Sequence, residues 1–175
     1  MITGKKELMG YQEHKHKVLK SVSCAVLTIS DSRTERDDES GRLLRQKLSE
    51  TGHRVILYCI LKNEADSIEK KVYELLRQEE LQVIIVSGGT GVSSRDITVD
   101  TIYPILEKKL DGFGELFRFL TYQEIGTGSI MSRAIAGVVR GKVIFCLPGS
   151  PEAAKLAMDK IILPEIGHLV MEATR

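Results

Sequence analysis

Gly88-Gly89-Thr90-Gly91 stand directly behind the apolar run Val83-Ile84-Ile85-Val86 and just ahead of Arg95-Asp96-Ile97-Thr98. Glycines grouped around one threonine at the exit of a buried strand let the backbone come very close to another group. Successive N–H groups in such a turn can wrap an anion. Two other stretches share this makeup, Ser30-Asp31-Ser32-Arg33 and Leu147-Pro148-Gly149-Ser150-Pro151-Glu152. Each offers backbone N–H groups and hydroxyls to a phosphate, and the last opens a helix, where the dipole favours negative charge. A carboxylate such as Asp96 beside a phosphate loop repels the ligand unless a cation intervenes. Mg²⁺, held by one or two carboxylates together with substrate phosphates, removes that conflict. The alternative is that Asp96 pairs with Arg95 or caps the next helix, and the residues by themselves leave both open.

Other chemistries find no support. There is no G-x-x-x-x-G-K-[ST], and a G-x-G-x-x-G begun at Gly89 and Gly91 meets Ser94 where its last glycine belongs. No Ser–His–Asp pattern or activated cysteine is present. His53 starts a strand and His168 lies in the terminal helix, while His14 and His16 lack a nearby third ligand and read as part of a solvated arm. Cys24, Cys59 and Cys146 are far apart in apolar surroundings, without a C-x-x-C, which fits reduced core cysteines of a cytoplasmic protein. With 25 basic against 24 acidic side chains, the chain has no overall field to attract nucleic acid or an anionic membrane. No window reaches the roughly 18 apolar residues of a membrane helix. The N-terminus lacks the apolar core of a secretory signal. Residues 1–20 read as a polar extension and 21–175 as one domain.

The candidate loops must be held by regular elements. Four β-branched-rich runs, at 22–30, 53–61, 81–87 and 142–149, are almost continuously apolar, as expected for strands covered on both faces. Helical patterns separate them. Leu43, Leu44 and Leu48 share one face before a stop at Gly52, and Ile68, Val72, Leu75 and Leu76 share another. A third helix is expected to begin on a Thr98 cap and run to Asp111-Gly112, kinked or delayed by Pro104. A short helix is expected in Phe113–Tyr122, and final helices after Ser150 as N-cap and Pro151 at the first helical position. Strand–helix alternation of this kind specifies an α/β domain, a three-layer α/β/α sandwich around a mostly parallel sheet. Ligands of such sheets bind beyond the carboxyl ends of the strands.

"GGTGVSSRDIT", with "TISDSR", "DESG", "DGFGELFR", "SRAIAG" and "LPGSPEA", resembles the MoaB/MogA family of molybdenum-cofactor biosynthesis, and the MoaB branch more closely. The resemblance runs from about Ser21 to about Val170. It implies the MogA-like molybdopterin-binding fold, assembled as a trimer or dimer of trimers. It also implies a molybdopterin adenylyltransferase that joins molybdopterin to AMP from ATP with Mg²⁺, releases pyrophosphate and passes the product to a metal-insertion enzyme. Asp96 matches the essential acidic residue and would be catalytic and hold Mg²⁺, with Glu64 as a second candidate ligand. Gly88, Gly89, Thr90, Gly91 and Arg95 match the nucleotide- and pterin-binding loop. Asp31 and Ser32 match the first loop, and Pro148, Gly149 and Ser150 the last. Glu115, Arg118, Ser132 and Arg133 would line the same pocket.

One position departs from the pattern. MogA-like members carry an acidic residue after the second strand where this chain has Asn63. Glu64 could supply the charge, the site could work with fewer carboxylates, or Asn63 could simply cap the following helix. The alternative to an enzyme is a non-catalytic molybdopterin carrier.

Overall fold

The computed structural model describes residues 19–175. The polar extension expected over residues 1–20, with His14 and His16, lies outside the described residues apart from Leu19 and Lys20. The strands are β1 (Ser23–Ile29), β2 (Arg54–Leu61), β3 (Val83–Ser87), β4 (Lys108–Lys109), β5 (Ile135–Val139) and β6 (Lys142–Leu147). They form one sheet in the order β2-β1-β3-β6-β5-β4. The first four in that order run parallel, whereas β5 and β4 are antiparallel additions.

Side chains alternate along each central strand, so each strand feeds two cores. Val83 and Ile85 of β3 join Val143 and Phe145 of β6 on one face. That face is covered by α1 (Glu39–Glu50), α4 (Asp111–Ile125), α5 (Pro151–Ala157) and α6 (Leu163–Ala173), through Leu44, Phe117, Ala154 and Val170. Ile84 and Val86 turn to the other face, under α2 (Ala65–Leu76) and α3 (Thr98–Ile102), with Ile68, Val72 and Ile102. This is the three-layer α/β/α arrangement around a mostly parallel sheet. Cys24 and Cys146 are free and buried, and burial pushes the Cys24 thiol up to about 12, which keeps it unreactive.

Three local departures have physical causes. β2 is an edge strand, so most of its residues are half-buried instead of enclosed on both faces. The helix from Thr98 stops at Ile102, because Pro104 cannot donate in a continuing helix, and a 3₁₀ turn at Tyr103–Ile105 leads out to β4. Asp111 and Gly112 therefore begin α4 instead of ending α3. β5 is joined to β6 by Arg140 (φ 49°) and Gly141 (φ 72°), a two-residue hairpin turn with both central residues left-handed. Ser150 and Pro151 behave as their sequence indicates: the Ser150 hydroxyl accepts from the Ala153 N–H at 3.2 Å.

Gly88 leaves β3 with φ +100°, and a Cβ there would lie 2.4 Å from the Ile29 carbonyl oxygen. Gly112, in the first turn of α4, has open space where a Cβ would go. Gly88→Ala is expected to lower unfolding free energy by about 2 kcal/mol or more, while Gly112→Ala changes it by at most about 1 kcal/mol, in the stabilising direction. Chemical denaturation of the two variants checks the contrast.

Candidate functional site

Because β1, β3 and β6 are adjacent and parallel, their carboxyl ends bring the three polar loops together. They border a cavity of about 700 Å³. Ser32 reaches it from the first loop, Gly88, Gly89, Thr90, Gly91 and Asp96 from the second, and Pro148, Gly149 and Ser150 from the third. Ser132, at the approach to β5, closes another side.

The glycine loop is tied down from both directions. The Gly88 N–H donates to Leu147 O at 2.9 Å. The Thr98 hydroxyl donates to Gly88 O at 2.8 Å, and its N–H donates to Gly89 O at 2.9 Å. Thr98 is thus the first residue of α3 and a loop fastener, not its cap; the N-cap position is Ile97, which makes no side-chain cap bond. Gly89 has φ +63°, and a Cβ there would sit 2.3 Å from Thr98 Oγ1 and 2.6 Å from Asn63 Oδ1. A Cβ on Gly91 would sit 2.6 Å from Asp96 Oδ2. The protein's own close packing therefore demands glycine at these positions, and the bare backbone it leaves is available to a ligand.

Asp96 neither caps α3 nor pairs with Arg95 among the described residues. Its Oδ2 accepts the Ser93 N–H at 3.0 Å, which closes the loop and holds the carboxylate at the cavity. Among the described residues it is the only carboxylate lining that space, and no cluster of three or more metal-ligating side chains occurs. A cation held here would share Asp96 with ligand phosphates and water, which is how Mg²⁺ binds.

The other acidic residues nearby are engaged elsewhere. Asp31 lies outside the cavity, accepting from the Asn63 N–H at 3.0 Å and from Asn63 Nδ2 at 3.4 Å. The Asn63 N–H, ahead of the Arg95 and Lys62 charges, holds the Asp31 carboxyl below the usual range. Asn63 does not cap α2: Glu64 occupies the N-cap position, and its carboxylate accepts from the Ser67 hydroxyl at 3.0 Å. The Asn63 side-chain oxygen is buried against Gly89 instead, without a hydrogen-bond partner. Arg95 is exposed and does not line the cavity.

Glu115 and Arg118 do not join the others. On α4, Phe117, Thr121 and Ile125 form the stripe that faces the cavity. Arg118, one residue and about 100° further round, faces two neighbouring grooves, one of which it shares with Glu115. Arg133 lies in the groove with Arg118; it pairs with Asp100 and donates to Gly91 O at 3.3 Å, so it braces the glycine loop from behind. Ser132 borders both spaces. Thr121 and Ser129 were not foreseen as lining residues, and for Thr121 the helical repeat from Phe117 was the available signal.

A buried acid also escaped the sequence reading. Asp38 has a fully enclosed side chain, caps α1 by accepting the Gly41 N–H at 3.0 Å, accepts the Tyr58 hydroxyl at 2.8 Å, and lies 3.5 Å from Arg33 Nη1. Ser40 donates to the Gly149 carbonyl at 2.8 Å, and a Cβ on Gly41 would lie 2.2 Å from Asp38 Oδ2. The "DESG" stretch is thereby a joint between α1 and the last loop. Burial alone would raise the Asp38 pKa, but the Gly41 N–H, the Tyr58 hydroxyl and the Arg33 charge outweigh it and hold the carboxyl below its usual range. A depressed folded-state pKa contributes stability above the unfolded value of about 3.9, and that stability disappears as pH falls through the folded value. Asp38→Asn is therefore expected to cost about 2 kcal/mol at pH 7, with the gap to the native protein narrowing below about pH 4. Denaturation across pH checks both the size and the sign.

The family model described as "Probable molybdopterin binding domain" matches residues 25–168. The chain is 45% identical over 168 residues to molybdenum cofactor biosynthesis protein B of Bacillus cereus, covering 95% of this chain and 99% of that one. A crystal structure of a molybdenum cofactor biosynthesis protein B superposes with a TM-score of 0.86 at 46% identity, over 88% of this chain and 96% of that one. The tungsten cofactor synthesizing protein MoaB from Pyrococcus furiosus gives a TM-score of 0.82 at 35% identity, over 90% and 99% of the two chains. Sequence, cavity-forming loops and fold agree: the chain belongs to the molybdopterin-binding domain family and, within it, to the molybdenum cofactor biosynthesis protein B group.

Proposed function

We propose that this chain serves molybdenum or tungsten cofactor biosynthesis in the cytoplasm by binding molybdopterin and adenylylating it with Mg-ATP. The observation that carries this reading is the cavity in which three loops rich in backbone N–H groups and hydroxyls surround a single carboxylate, Asp96. The α4 side of the same cavity, with Phe117, Ile125 and Met131 beside Thr121 and Ser129, combines apolar walls with hydroxyls and suits a heterocycle.

In the proposed reaction an oxygen of the molybdopterin phosphate attacks the α-phosphorus of ATP. The new P–O–P bond forms as the bond to the β-phosphate's bridging oxygen breaks, and pyrophosphate leaves with the electron pair. The attacking oxygen is already anionic at neutral pH, so no general base is required. The chain's task is to align two polyanions and offset their repulsion. Backbone N–H groups of 88–91 and the Ser32 and Ser150 hydroxyls would orient the phosphates, and Asp96 would hold Mg²⁺ through the carboxylate oxygen that Ser93 leaves unoccupied. When bound there, Mg²⁺ supplies charge neutralisation for the phosphates. The product would pass to a metal-insertion enzyme. Self-association as a trimer or dimer of trimers fits the exposed Leu116, Phe119 and Tyr122 of α4 and the exposed Ile130 beyond it.

Asn63 favours a second reading, a carrier that binds molybdopterin without turnover. Its amide satisfies Asp31 and adds no negative charge beside Gly89, so the site has one acidic residue fewer than MogA-like members.

Asp96→Ala is expected to fold normally and to release pyrophosphate from ATP and molybdopterin at least about 100-fold more slowly than the native protein. A pyrophosphate-release assay with Mg²⁺, run beside thermal melts, measures this. A native rate in the variant would rule out Asp96 as the metal-holding carboxylate.

A further inference from the structure

The polar contacts of the Arg33 side chain within the described residues all run through one nitrogen, while its backbone N–H donates to the Ser30 hydroxyl at 3.1 Å. Nη1 lies 3.0 Å from the Gly149 carbonyl oxygen, 3.4 Å from Ser40 Oγ and 3.5 Å from Asp38 Oδ1. Nε and Nη2 make no hydrogen bond or ion pair among the described residues. The side chain is 33% exposed and lines the cavity beside Ser32, Gly149 and Ser150. Asp38 is itself immobilised, by the Gly41 N–H and the Tyr58 hydroxyl. The guanidinium is therefore anchored at one corner by a buried group, its other donors are unused among the described residues, and the side chain lines both the cavity and a groove beside Asp31 and Glu35.

A loop fastener alone would not need an arginine. Ser40 already donates to the same Gly149 carbonyl at 2.8 Å. A guanidinium adds a charge that persists at every pH the fold survives, and a planar N–H edge matched to two oxygens of one phosphate.

We propose that Arg33 contacts the polyphosphate of the nucleotide through its Nε–Nη2 edge, and that Asp38 is a positioning residue that holds Nη1 so that this edge faces the ligand. The inference rests on the reading of the cavity as a nucleotide site. Arg33 stands on the β1 side of the glycine loop, whereas α4 leads into β5 on the far side of β6, so the strand order separates a cationic phosphate end from the apolar, hydroxyl-bearing end.

The test is equilibrium titration of ATP and of inorganic pyrophosphate into the full chain and its Arg33→Gln, Arg33→Ala, Asp38→Asn and Asp38→Asn/Arg33→Gln variants, with thermal melts alongside. Glutamine keeps an amide donor but carries no charge, and the Ser40 hydroxyl still fastens the Gly149 carbonyl in that variant. A fastener would be spared by Arg33→Gln, whereas a phosphate contact is lost in both single Arg33 variants, with affinity for ATP and pyrophosphate falling about tenfold or more. Asp38→Asn is expected to weaken ATP binding in the native background and to add less than about twofold in the Arg33→Gln background. Native-like affinity in Arg33→Gln overturns the phosphate contact. Equal losses from Asp38→Asn in both backgrounds overturn the positioning role. If the native chain binds neither ligand, the nucleotide reading fails and this inference with it. Should Asp38→Asn not fold, Tyr58→Phe, which removes one of the bonds that immobilise Asp38, takes its place in the cycle.

Discussion

The carbonyl of Gly149 is the point on which the site depends. It accepts from Arg33 at 3.0 Å and from Ser40 at 2.8 Å, and so ties the loop after β1, the start of α1 and the loop after β6 to one atom. Gly149 also approaches Gly88 so closely that a Cβ on it would lie 3.2 Å from the Gly88 Cα. Parallel strands bring these loops near one another, but only contacts of this kind fix backbone against backbone. The enclosed Asp38 carboxylate stands behind the joint. Removing it would leave the Gly41 N–H, the Tyr58 hydroxyl and the Arg33 charge short of an acceptor at once.

The distribution of charge follows from this framework. Asp31 is held by hydrogen bonds from Asn63, Asp38 by its donors and the Arg33 charge, and Asp100 by an ion pair with Arg133. Asp96 remains as the carboxylate at the cavity, with one oxygen spent on Ser93. A polyanionic ligand in the cavity would, on the proposed reading, meet backbone donors, a guanidinium and one carboxylate able to share a metal. An aspartate at position 63 would instead put a second carboxylate beside Asp31 and Gly89, where the present amide donates. Asn63 is compatible with either chemistry or storage, and the distinction lies in the phosphates' charge relief and not in the shape of the fold.

Much of this was legible in the residues. Continuous apolar runs gave the parallel strands, and Gly, Ser and Thr at their ends gave the loops. Those signals are local, and so is Ser150 with Pro151 as a helix start. What was missed depends on partners distant in sequence. Arg33 and Gly149 are 116 residues apart, and Asp38 meets Tyr58 only because α1 packs beside β2. Glu115 and Arg118 sit in a motif shared with cavity-facing residues, but helical rotation turns them toward another groove. β5 was hidden because Ala136 and Gly137, with Ala134 just ahead of the strand, dilute its β-branched residues. Its hairpin signal was only the Arg140-Gly141 pair.

The loops around Asp96 are proposed to join two phosphates. Phosphorus NMR of the native chain mixed with stoichiometric molybdopterin and Mg-ATP tests this without a coupled assay. Loss of the molybdopterin phosphomonoester signal, growth of a diphosphate diester signal and equimolar pyrophosphate are expected. Molybdopterin bound by the chain, with an unchanged phosphomonoester signal and intact ATP, would contradict the proposal and make the protein a carrier.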